Sequence, residues 1–258
     1  MAHFVSFFAD RLDSEYSRAM IESERCIAII PARGGSKSVP LKNLHPLGGR
    51  PLLEWPIRVA RATPEIDRII VSTDHDLIAE TALAAGAEVS RRPKHLSGDT
   101  ALPADMLRHL IATLREQGET ARYLVLLEPT APFRLPQDVS ACLKLLHENR
   151  LDSVATFMEA HLNPHRAWSI QDGKAQPFIP GAVPWRPRQS LPPAHQLNGA
   201  VYAFVADELK PETPAVLFGA SGAVIMDKKR SFDIDDAQDF AVANALLAAG
   251  AVPLGEFA

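Results

Sequence analysis

Short apolar runs alternate along this chain with segments in which apolar residues recur every three or four positions. The first run, Ile27-Ala28-Ile29-Ile30, has the length and β-branching of a buried strand, and Pro31 stops it. After Gly48-Gly49-Arg50-Pro51, the stretch from Leu52 predicts a helix running to about Ala62. Residues 68–72 predict a second strand. Thr73 and Asp74 offer capping chemistry for a helix over 77–85, which Gly86 ends. Residues 88–90 predict a short strand. Pro103 opens a helix whose apolar face is Met106, Leu107, Leu110, Ile111 and Leu114. Strands follow at 123–127 and 153–157, with a helix at 137–149 between them.

This alternation at short spacing predicts an α/β fold: a mostly parallel, Rossmann-like sheet with helices on both faces. Ligands of such sheets bind outside the strand C-termini. Each unusual loop, at 31–43, 72–76, 91–100 and 128–134, follows a predicted strand, so the four are expected to meet on one rim. From about His161 to Gly222 the texture changes, because proline becomes dense and the βα alternation disappears. Residues 161–222 therefore read as an inserted lobe, an extended arm with a hairpin. The nucleotide-binding type of core is expected over 25–160 and 223–258, closing with a helix at 237–249. Residues 1–24 read as an N-terminal extension. Its phenylalanines are followed at once by acids, without the basic start of a secretory peptide, and Met20 offers a later start.

Composition narrows the picture. The 258 residues, 47% hydrophobic and 22% charged, suffice for one α/β core with an insertion. A net charge of −4 argues against nucleic-acid or membrane partners, and no apolar run is long enough to span a bilayer. Cys26 and Cys142 read as buried apolar residues in a reducing, cytoplasmic setting, not as a disulfide or metal site.

The cations that exist are concentrated after the first strand. Arg33, Lys37 and Lys42 surround Gly34-Gly35 and the hydroxyls of Ser36 and Ser38. Two glycines let backbone N–H groups turn toward one object, and the cations make that object an anion such as a nucleotide phosphate. The Walker A template fails because Lys37 follows Ser36, and G-x-G-x-x-G fails because only two glycines are present. Far along the chain, Asp233 and Asp235 are two apart, so an extended backbone points both carboxylates to one side. That arrangement suits Mg²⁺, which takes one or two carboxylates beside substrate phosphates. A structural reading stands beside it: Asp235 or Asp236 caps the closing helix. Of the histidines, His45, His75 and His95 read as surface or loop residues.

The segment IIPARGGSKSVPLKN resembles the signature of the acylneuraminate cytidylyltransferases, which make CMP-sialic acids and CMP derivatives of other nonulosonic acids. The resemblance covers nearly the whole chain after Arg25 and implies a nucleotide-diphospho-sugar transferase type of fold. It implies that Arg33, Gly34, Ser36, Lys37, Lys42 and Asn43 hold CTP, with Lys37 and Lys42 supporting the triphosphate and leaving group. It places the metal, Mg²⁺, on Asp233 and Asp235, and gives Asp235 a part in deprotonating the attacking hydroxyl. RP…L…DT at Arg92-Pro93, Leu96 and Asp99-Thr100 resembles the base-binding segment and implies contacts from Arg92 and Ala101. LLEPTAPFR, starting at Leu126, resembles the family's LLQPTSPLR, with Glu128 in place of a glutamine that faces the sugar. Either the sugar carries a substituent with more donors, or Glu128 pairs with a nearby cation. On the sugar side the resemblance further implies Arg166 for a carboxylate, Arg188 acting across a homodimer, and Asn198 and Tyr202 of an NGAIY-like strand. Phe218 is carried over as a wall of an N-acyl pocket. The expected substrates are CTP and a sialic or related nonulosonic acid; legionaminic, pseudaminic and Kdo-type acids are the near alternatives. A nucleotide-binding regulator without turnover is the alternative from another class.

Overall fold

The computed structural model describes residues 24–98 and 100–254. The expected N-terminal extension falls, apart from Glu24, outside the described residues.

The apolar run that opens the chain becomes β1 (Cys26–Pro31), buried at every position but the last. Its continuity has a simple cause. Cys26, Ala28 and Ile30 enter one hydrophobic cluster, while Ile27 and Ile29 enter another on the opposite face. Beside β1 lie β4 (Arg68–Thr73) and β6 (Tyr123–Leu126), both parallel to it. β5 (Glu88–Arg91) extends the sheet beyond β4, again parallel. β2 (Pro46–Leu47) and β3 (Arg50–Pro51) make only a small hairpin.

The first face is covered by α1 (Glu54–Ala62), α2 (Asp76–Ala84) and α4 (Pro136–Glu148), through Ile57, Ile78, Val139 and Leu143 among others. The second is covered by α3 (Pro103–Glu116), whose buried side is Ala104, Met106, Leu107, Leu110 and Leu114. Proline occupies the first turn of α3 and α4, where its missing N–H leaves no helical bond unmade. The expected cap of α2 differs from the structure. His75 occupies the cap position without a side-chain bond, and Thr73 Oγ1 accepts from His75 N at 3.2 Å, ahead of the helix. Asp74 is turned away toward the loop after β1, accepting from Gly34 N at 2.9 Å.

The far side of the sheet holds β7 (Ser153–Glu159), β10 (His195–Val205) and β11 (Ser221–Ile225). The full order is β11-β7-β10-β6-β1-β4-β5, parallel except for β10, which runs against both neighbours. Here the structure departs from the expected boundary at 222. The stretch 161–222 does contain a hairpin, β8 (Trp168–Gln171) with β9 (Lys174–Pro177), but it also supplies the eleven residues of β10 to the middle of the sheet. The core is thus resumed at His195. A register shift between Leu197 and Tyr202, with Gly199 at φ +69°, bends β10 as it enters.

α5 (Ala237–Ala248) closes the chain. Its Phe240 and Ala243 pack with Val39, Leu52, Trp55, Phe133 and Ile234 in a third cluster. That cluster lies behind the loop after β1 and fixes it to the closing segment.

Candidate active site

The four loops do meet on one rim. After β1, Ala32 N donates to Ser72 O at 3.0 Å, tying the loop to β4. Buried Asn43 closes the loop on itself, donating from Nδ2 to Arg33 O at 3.1 Å. Arg33 reaches across to the next loop, its Nη1 bonding Gly98 O at 3.0 Å. The backbone of Arg92 bonds Thr73 O at 2.8 Å, and its guanidinium bonds Ser72 through Oγ at 3.2 Å and O at 2.8 Å. Burial pushes the Arg92 guanidinium down to about 10; Asp74 opposes that effect and Arg33 adds to it.

The distant aspartates arrive at the same place. Ile234, buried between them, anchors the Asp233–Asp235 segment in the third cluster, so the flanking carboxylates remain at the surface. Ile234 N bonds Thr130 O at 2.8 Å. Lys42 Nζ donates to Ile234 O at 2.9 Å and stands 4.0 Å from Asp235 Oδ1. Ser38 Oγ donates to Asp235 O. The helix cap is made by other carboxylates: Asp236 Oδ1 accepts from Gln238 N and Asp239 N, while Asp239 Oδ2 accepts from Asp235 N and Asp236 N. The Asp235 side chain is left to the cleft, while the Asp233 carboxyl accepts a hydrogen bond from Thr130. Burial and the neighbouring Asp235 raise the Asp233 carboxyl, against a hydrogen bond from Thr130 and the charge of Lys42.

Two compartments result. One, of about 640 Å³, is lined by Arg33, Ser36, Lys37, Lys42, Asn43 and Asp235, with Glu128 at its wall. The other, of about 330 Å³, is lined by Arg92, Leu96, Ala101 and Met106. Pro31, Arg33 and Glu128 line both and so mark the junction. The larger compartment brings three cations and the hydroxyls of Ser36 and Ser38 together beside the carboxylates of Asp235 and Asp236, groups fit for phosphates. The smaller has mostly apolar walls, with the guanidinium groups of Arg33 and Arg92 at its edge, fit for a flat heterocycle.

Glu128 follows β6. Arg134, itself buried, holds its carbonyl, and Gly199 leaves room for its carboxyl: a Cβ there would come within 3.2 Å of Glu128 Oε2. Burial raises Glu128 to about 7, with Asp233 adding to the shift and Arg134 and Lys42 opposing it. Tyr202 is buried nearby, its hydroxyl raised by burial and by Glu128.

The remaining sugar-side candidates are not brought to this junction. Asn198 is buried, with Nδ2 donating to Met226 Sδ and Ser231 Oγ and Oδ1 accepting from Thr156 Oγ1 and Ala200 N. Its hydrogen-bonding capacity is used inside the fold, where it joins β10 to Thr156, Met226 and Ser231. Phe218 lies at the opposite rim: it packs on Phe204 at 5.9 Å, and its backbone exchanges hydrogen bonds with Ser153 at the start of β7. The segments flanking it carried apolar residues, but their place in the sheet puts them at the wrong end. Arg166 bonds Arg186 O at 2.8 Å within the arm, and Arg188 pairs with Glu159 at 2.5 Å. Both stand outside the two compartments of this single chain.

Residues 27–196 match the family described as Cytidylyltransferase. The chain belongs to that family. The resemblance read in the opening motif is borne out. This family member is 31% identical over 227 residues to "Post-translational flagellin modification protein B" of Campylobacter coli, covering 86% of this chain and 94% of that one. It is 31% identical over 216 residues to the N-acylneuraminate cytidylyltransferase of Streptococcus agalactiae serotype V, covering 83% of this chain but only 51% of the relative. It is 30% identical over 224 residues to a Campylobacter jejuni CMP-N,N'-diacetyllegionaminic acid synthase, covering 86% and 94%. The chain thus spans about half the length of the sialic acid enzyme and nearly all of the other two. Among solved structures, a CMP:2-keto-3-deoxy-manno-octonic acid synthetase complexed with CTP superposes at a TM-score of 0.65 and 16% identity, over 88% of this chain and all of that one. At that identity the likeness shows the fold, and it agrees with the mostly parallel sheet expected.

Proposed function

We propose that this nucleotidyltransferase moves CMP from CTP to the anomeric hydroxyl of a nonulosonic acid, giving a CMP-sugar and pyrophosphate. The observation that carries the reading is the approach of Lys42 to Ile234 and Asp235, which joins early cations and late carboxylates in one cleft. CTP places its cytosine in the smaller compartment, by Arg92 and Ala101, and its phosphates in the larger one. The α-phosphorus then stands at the junction, beside Arg33 and Glu128. Arg33, Ser36, Lys37 and Asn43 orient the triphosphate, and Lys42 offsets charge on the oxygens of the reacting phosphates.

Asp233 and Asp235 fit a magnesium ion. Neither serves as the helix cap, Asp235 lines the cleft, and among the described residues no set of three side chains forms a complete metal cage. Two carboxylates completed by substrate oxygens are what Mg²⁺ takes. When bound, Mg²⁺ supplies positive charge to the phosphate oxygens as pyrophosphate departs.

Glu128 refines the choice of acid. Near pH 7 its carboxyl is partly protonated, and a protonated carboxyl offers one donor and one acceptor, the pattern of the glutamine expected there. The likeness to a legionaminic acid synthase, at 30% identity over 86% of the chain, makes a legionaminic-type acid the second reading. We further assign a homodimer built through the arm, whose Trp185, Ile170 and Phe178 are 83%, 72% and 66% exposed.

Pyrophosphate release with CTP and Mg²⁺ over a panel of nonulosonic acids tests the reading. Turnover with one or a few acids is expected, and Asp235→Asn is expected to lower kcat by on the order of 10²-fold with CTP affinity within a few-fold. No turnover with any acid sinks it.

A further inference from the structure

Gly34 raises a question that the phosphate-loop reading leaves open. Its backbone is not in the left-handed region that demands glycine, since it is absent from the positive-φ glycines. A side chain is excluded there by a neighbour. A Cβ on Gly34 would meet His75 Cδ2 at 2.8 Å, Cβ at 2.9 Å and Cγ at 3.0 Å. One of those atoms, Cβ, is bonded to the His75 backbone, so side-chain rotation alone does not relieve the contact. The adjacent Gly35 has nothing within 4 Å of its would-be Cβ, so the crowding is specific to Gly34.

His75 is held firmly where it meets the loop. Its N–H bonds Thr73 Oγ1, and its carbonyl accepts from Ala79 N at 3.0 Å in the first turn of α2. Its Nδ1 is buried without a hydrogen-bond partner among the described residues. The ring therefore meets the loop by shape, and that nitrogen is not what holds it. From the other side Asp74 Oδ1 accepts the Gly34 N–H. The same turn fixes the nucleoside compartment, because Ser72 and Thr73 hold Arg92.

We propose that His75, with Asp74, is a positioning residue for the phosphate loop: its ring is the platform on which Gly34 rests, and this contact sets the loop in register with the Arg92 compartment. His75 touches no substrate. It acts through Gly34 on how the loop presents its N–H groups and cations to the triphosphate. This rests on the reading of residues 33–43 as a triphosphate loop.

A double-mutant cycle on the full chain tests it, with CTP binding measured by calorimetry and kcat and KM by pyrophosphate release. Gly34→Ala is expected to raise the Kd and KM for CTP by about 10–100-fold, the scale on which a displaced binding group is felt. His75→Ala alone is expected to raise KM for CTP roughly tenfold while moving kcat much less. Gly34→Ala combined with His75→Gly, with His75→Gly alone as the matching single, is expected to recover most of the affinity lost by Gly34→Ala, since both the opposing ring and the Cβ at 2.9 Å are gone. His75→Phe is expected to keep most of the affinity that His75→Ala loses, because it preserves a ring. Thermal melts of each variant confirm that it is folded. If His75→Ala leaves KM for CTP at the parental value, or the double variant binds no better than Gly34→Ala, the inference is overturned. If the parent itself binds no CTP, the proposed function fails instead, so the two failures are distinguishable.

Discussion

Glu128 carries a carboxyl that burial, with Asp233 beside it, raises from 4.5 to about 7. The folded chain therefore holds this proton more tightly than the unfolded chain does. The stability so contributed is fully present below pH 4.5 and is lost as the pH rises through 7. Glu128→Gln, which cannot ionise, is expected to flatten that limb and to gain on the order of 1–2 kcal/mol over the parent at pH 8. Urea unfolding at pH 5 and pH 8 without added metal measures it. Asn198 yields a different expectation. Four buried hydrogen bonds leave it no free valence, so Asn198→Ala should lower stability by about 2–3 kcal/mol, because it strands partners inside the sheet. KM for the acid acceptor should stay near the parental value; a large rise would restore Asn198 as a sugar ligand. At this scale the sequence was informative about chemistry and poor about packing. Lys42 and Asp235 could be paired because each type of charge has one plausible use beside a phosphate. His75 read only as a surface or loop residue, since its meaning lies in a contact across 41 positions of chain with a residue that has no side chain.

Among the elements, α5 shows how a capping reading and a site reading can both hold. Asp236 and Asp239 form the capping box, which frees Asp233 and Asp235. Asp236→Ala is expected to cost about 1 kcal/mol and to lower the melting temperature by roughly 2–4 °C, read by thermal denaturation. The parallel half of the sheet was legible because strands buried on both faces read as unbroken apolar runs, as Ile27–Ile30 do. The cap of α2 was not, because Asp74 satisfies the loop after β1 instead of its own helix. β10 was legible as a strand in Asn198–Tyr202 but not as a member of the central sheet. Its neighbours β6 and β7 are paired through antiparallel contacts that local pattern does not encode, and the prolines before it suggested a lobe.

For the whole molecule, the exposed aromatic and aliphatic surface of the arm is the feature that a lone chain leaves unexplained. Trp185, 83% exposed yet in ring contact with Trp168 at 6.2 Å, belongs to the homodimer proposed above. Light scattering after size exclusion is expected to give twice the 28.1 kDa chain mass, and Trp185→Asp to shift the population toward monomer. A monomeric parent would remove the dimer from the account. Among the described residues no helix is long and apolar enough to cross a membrane.

β10 is the one strand threaded against the grain of the sheet. Because of that direction, the arm delivers its end, at His195 to Gly199, to the rim where the parallel strands finish, and Gly199 comes to rest against Glu128. In the function proposed above, the nucleotide is served from the first half of the chain, and the returning strand reaches the acceptor side through Gly199. Such wiring makes the arm a natural cassette. Transplanting residues 161–194 from a relative of different acid preference is expected to redirect which acid is consumed, with KM for CTP left within a few-fold of its starting value.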